Sequence, residues 1–98
     1  MNSVDFVTLD GFRDEVNREV EWLKNGATSY RVKTAELSLL VVKEIETPDY
    51  FCDLKTAIKK VSELFPNEDS ERKKDVAKML HTIFSSMELE LETPQEIK

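Results

Sequence analysis

Apolar residues recur every three or four positions from Phe12 onward. Phe12, Val16, Val20 and Leu23 lie on one face of a 3.6-residue period. Asp10 offers a capping oxygen and Asn25-Gly26 a left-handed stop, so the spacing predicts a first helix over about residues 11–24. Ahead of it, Val4, Phe6 and Leu9 alternate with polar residues, the pattern of a short strand or of an arm laid across the core over residues 1–10. Residues 29–46 are apolar on nearly every side. Leu37, Leu40, Val41 and Ile45 form one stripe, and Val32, Ala35, Leu39 and Val42 another. With no turn residue to interrupt them, they predict a second helix, expected to be the central one. Tyr30, Val32, Val41 and Val42 also favour strands, so a strand over 30–42, making the fold α+β, is the competing reading.

Thr47-Pro48 is a helix start, since the hydroxyl caps and proline loses nothing at the first helical position. Phe51, Leu54, Ile58, Val61 and Phe65 then carry a third helix over 48–65, stopped by Pro66. Val76, Met79, Leu80, Ile83, Phe84 and Met87 define a fourth over 70–87, with Glu68/Arg72 and Asp69/Lys73 spaced for ion pairs. In residues 88–98, Leu89 and Leu91 alternate with Glu88, Glu90 and Glu92, which reads as an acidic tail that extends the helix, pairs as an edge strand or stays mobile. Short connections make the helices antiparallel neighbours. The expected architecture is a single all-α domain over 1–98, a small four-helix bundle with an N-terminal arm and an acidic C-terminal tail.

Charge narrows the choice of partner. Twenty acids against fourteen bases leave the 98-residue chain at −6, with the acidity concentrated toward its two ends. Such a surface repels phosphate backbones and anionic membranes and attracts a basic protein. The longest apolar run, Leu39 to Val42, is far short of the roughly 20 residues of a membrane span, so no membrane partner is expected. Met1 is not followed by a positive start and an apolar stretch, and Cys52 alone allows no intramolecular disulfide. Both point to a cytoplasmic protein.

Candidate chemistry is sparse. Thiol catalysis needs a cysteine and a histidine within hydrogen-bond reach, and Cys52 and His81 fall on helix flanks that point away from the core and from each other. Two such side chains cannot supply a structural zinc site, Asn67-Glu68-Asp69 lacks a calcium loop's turn glycine, and Gly11 and Gly26 stand alone rather than in a phosphate loop. No catalytic residue, metal or cofactor is therefore assigned. Arg72, Lys73, Lys74 and Lys78 near the start of the fourth helix suggest a DNA-binding regulator, but Glu68, Asp69, Glu71 and Asp75 interleave with them.

Trp22 is the informative position. It projects about 100° from the centre of the first helix's core stripe, four residues beyond Arg18, on which its indole is placed to stack. Tryptophan and arginine are enriched in interface hot spots, so Glu15, Arg18, Glu19 and Trp22 form the candidate protein interface, with Glu88, Glu90 and Glu92 as a separate acidic surface. The functional expectation is a small non-enzymatic protein-binding module of inhibitor, immunity or adaptor type that covers a site on a larger, basic partner. A DNA mimic, a DNA-binding regulator and a Cys52-dependent enzyme are the alternatives. A homodimer through the same strip, or through the apolar excess of the second helix, is the alternative partner.

Overall fold

Thr8 begins the first helix. Its hydroxyl accepts the Gly11 N–H at 3.0 Å and its carbonyl the Phe12 N–H at 2.9 Å. α1 therefore spans Leu9–Leu23. Asp10, expected as the cap, sits in the first turn, where its charge faces the positive end of the helix. The helix closes through a turn over residues 24–26, with the Ala27 N–H on the Leu23 carbonyl at 3.0 Å. Gly26 has no positive φ, so the left-handed stop expected at Asn25-Gly26 does not form. The computed structural model describes residues 7–92, side chains through Leu91. The expectations for Val4 and Phe6 lie outside these residues, as do those for residues 93–98.

α2 spans Ser29–Glu44 with Thr28 as its cap, which removes the strand alternative for 30–42. Each of its two apolar stripes is covered only in part. Ala35, Leu37, Val41 and Val42 are buried, whereas Leu40 is 48% exposed. Between the stripes lie the buried Thr34 and Ser38, whose hydroxyls donate to the carbonyls one turn earlier, Tyr30 at 3.1 Å and Thr34 at 3.0 Å. Satisfied in this way, two small polar side chains cost little to bury.

The continuous third helix expected over 48–65 is instead two elements, a 3-10 turn at Pro48–Phe51 and α3 at Leu54–Leu64. Asp53 causes the break. Its backbone is extended and its Oδ2 accepts both the Thr56 N–H and the Thr56 hydroxyl at 3.0 Å, starting a new helix. Asp69 does the same for α4, Ser70–Glu92, accepting the Arg72 N–H at 3.2 Å in place of the expected ion pair with Lys73. The Glu68–Arg72 pair forms at 3.9 Å. α4 continues past Met87 through residues 88–92, the start of the expected tail, so its 23 residues reach about 34 Å.

Phe12 organises the core. Its ring stacks on Phe51 at 5.7 Å and meets Phe84 edge-on at 6.0 Å, joining α1, the 3-10 turn and α4. Val16, Val20, Val41, Val61, Val76 and Leu80 close around them with almost no exposure. α4, rather than α2, is the central element, packing against α1, α2, α3 and the 3-10 turn. The fold is a small all-α four-helix bundle with no strand among the described residues. No helix among those residues is long and apolar enough to cross a membrane.

Candidate functional site: a groove between α1 and α4

Parts of the two faces read separately from the sequence, Glu15, Glu19 and Trp22 of one and Glu90 of the other, line one groove. α1 and α4 run antiparallel: a Cβ on Gly11 would lie 3.6 Å from the Met87 Cε, while Tyr30, in the first turn of α2 beyond the other end of α1, donates its hydroxyl to Asp75 Oδ2 at 2.7 Å near the start of α4. The helices are not in full contact along this face, and a groove of about 570 Å³ opens between them and the first turns of α2. On the α4 side the lining positions advance by threes and fours from Asp75 through Met79, Ile83 and Met87 to Glu90, a single helix face. On the α1 side they are Glu15, Glu19, Trp22 and Leu23.

Three of the four predicted interface residues therefore line the groove. Trp22 is 72% exposed, the largest exposed apolar side chain among the described residues. Arg18 turns away to Glu15, with its Nη2 2.5 Å from Glu15 Oε1, which raises the guanidinium pKa above its ordinary value. The stacking of Arg18 on Trp22 is not formed. The cations placed over rings are Lys60 above Tyr50 at 4.3 Å and Arg72 above Tyr30 at 4.5 Å.

Helical continuation of α4 carries Glu90 to the groove's edge, while Glu88 is exposed away from its lining and the side chain of Glu92 lies outside the described residues. One end, with Glu15 and Glu90, is acidic. At the other end stand Trp22, Arg31 and Lys78, together with the Tyr30–Asp75 hydrogen bond that holds the phenol's pKa above its ordinary value. The α4 half of the groove was not foreseen because Met79, Ile83 and Met87 read as core. Ile83 is indeed buried, whereas the partial burial of Met79 and Met87, at the edge of the core rather than inside it, is legible only once α1 and α4 are seen to diverge.

Cys52 and His81 end up nearer one another than their separate helix flanks suggest. His81 is half-buried, and its Nδ1 lies 2.9 Å from the Phe51 carbonyl, so Nδ1 carries the proton and donates. Cys52 follows that carbonyl directly, with its thiol exposed and no hydrogen bond to the imidazole. Asp53, next in sequence, is committed to Thr56; the backbone hydrogen bond first, then the hydroxyl, hold its carboxyl below the usual range, with a smaller push from nearby His81. Asp53 is thus engaged in starting α3 and His81 in docking the 3-10 turn to α4, while the Cys52 thiol takes part in neither. Arg72, the strongest base of the proposed DNA-binding run, is held between Tyr30 and Glu68, its Nε enclosed without a hydrogen-bond partner. Among the described residues no three of His, Cys, Asp or Glu gather to hold a metal ion. Set against protein-family models, curated proteins and solved structures, the chain matches none of them.

Proposed function

We propose that this chain is a non-enzymatic protein-binding module of inhibitor, immunity or adaptor type that occludes a site on a larger cytoplasmic partner. The observation that carries the reading is the position of Trp22: a large aromatic side chain, 72% exposed, at the edge of a groove whose floor is apolar and whose α1 wall is acidic. A tryptophan left in water yields little to the stability of its own fold and much to an interface that desolvates it. The chain's charge of −6 supports a basic partner, which long-range attraction brings in faster than a neutral one.

The test is affinity capture from the native host followed by reconstitution with the purified captured protein, using Trp22→Ala and Arg18→Ala in parallel. Binding lost with Trp22→Ala, in a variant of unchanged helix content, supports the reading. Retention of the partner by both variants rejects this surface. Competition by duplex DNA for the same partner transfers the assignment to DNA mimicry.

A further inference from the structure

The groove is specific enough to name the shape of its occupant, and the inference rests on the reading of this face as a docking surface. From Asp75 to Glu90 its α4 wall runs for sixteen residues of helix, about 22 Å from end to end. An extended floor of Leu23, Met79, Ile83 and Met87, two of them adaptable methionines, matches the apolar stripe of a helix better than a compact ligand. Charge is distributed unequally along that length. Glu15 is neutralised by Arg18, but Glu19 on α1 and Glu90 on α4 have no ion-pair partner among the described residues. They flank the floor from opposite walls, while Arg31 and Lys78 stand toward the Trp22 end.

We infer that the groove receives an amphipathic helix of the partner protein. Its apolar stripe lies on Leu23, Met79, Ile83 and Met87, its basic residues meet Glu19 and Glu90, and Trp22, less than one turn beyond Glu19, closes over the end away from Glu90. Charge complementarity decides among occupants: a second copy of this acidic chain would bring acid to acid, and an acidic helix would set unpaired carboxylates against Glu19 and Glu90.

Trp22 is the chain's one tryptophan and so reports directly on this groove. The probes are two tryptophan-free synthetic helices of about 16 residues. Both have leucines at helical spacing, with lysines on the flanks of one and glutamates on the flanks of the other. The lysine helix is expected to shift Trp22 emission to the blue in a saturable titration. Its affinity should fall by about tenfold or more between about 0.05 and 0.5 M salt, and by about tenfold in the Glu19→Lys, Glu90→Lys double variant at low salt. Glu90 is exposed, and Glu19 is half-buried on the groove wall with no salt bridge to lose, so circular dichroism of that variant should match the parent.

No saturable shift with the lysine helix, or equal affinity for the glutamate helix, overturns the inference. So does a shift that follows protein concentration without any peptide, which identifies a second copy as the occupant. The last two results leave the groove standing as a docking surface. The wider reading fails separately, when a captured partner is retained by Trp22→Ala.

Discussion

Arg13 of α1 holds the end of α2: its Nε donates to the Val42 carbonyl at 2.7 Å and its Nη2 to the Ile45 carbonyl at 3.2 Å. The last carbonyls of a helix have no partners within it, and they carry its negative partial charge. A guanidinium brought from a neighbouring helix satisfies both the hydrogen-bonding and the electrostatic need while fixing how α1 lies on α2. Arg13→Ala should lower stability by about 2 kcal/mol, seen as a fall of about 10 °C in the thermal midpoint. Arg13→Lys should recover only part of it, because a single ammonium cannot reproduce the fork. Denaturation followed by circular dichroism checks both.

Phe12 contributes through packing alone. It is fully buried and touches aromatic rings from two other elements, so Phe12→Ala opens a cavity that the rigid helices cannot fill. The expected cost is about 4 kcal/mol, a large part of the stability of so small a domain. Phe12→Leu should cost less than half as much. Urea titrations of the two variants decide it, and equal losses would mean that the ring contacts, which both variants remove, outweigh the volume that leucine restores.

The start of α3 is sensitive to acid. Asp53 is held below its ordinary pKa by the Thr56 N–H and hydroxyl, so its contribution to stability is present above about pH 3.9 and is lost as pH falls through the lower folded-state value. Asp53→Ala should lower the thermal midpoint at neutral pH, with the difference from the parent closing in strong acid. Asp53→Asn should keep most of the cap and lose that pH dependence. A variant midpoint offset that stays constant from neutral pH into strong acid would show that the carboxylate charge plays no part.

Trp22 should behave as a surface group in the free protein. Its emission is expected near that of tryptophan in water and readily quenched by acrylamide, and Trp22→Ala should leave stability within about 0.5 kcal/mol of the parent. A blue-shifted, protected indole in the dilute protein would mean that the ring is already covered by another copy.

Periodicity made the bundle legible. Phe12, Val16 and Val20 on α1 and Val76, Leu80 and Phe84 on α4 are buried as their spacing predicts. Boundaries depended on single hydrogen bonds that competing residues could equally have made. Thr8 rather than Asp10 caps α1, and Asp53, inside an unbroken apolar stripe, divides the expected third helix. The alternation of Met87, Leu89 and Leu91 looks like a strand, yet with no strand among the described residues to pair with, the backbone continues the helix already begun. The candidate site was half legible. Exposure of Trp22 followed from its angle on α1, whereas the sharing of one groove by Glu19 and Glu90, like the reach of Arg13 to Val42, depends on how distant helices pack and leaves no local trace in the chain.

Calorimetric titration of the purified host partner with the parent chain and with Trp22→Ala tests the proposed docking face most directly. If Trp22 is the anchor of that face, its removal weakens binding by at least about 30-fold, near 2 kcal/mol, while the fold is retained. Equal affinities for the two proteins would contradict it and place the contact on another face of the bundle.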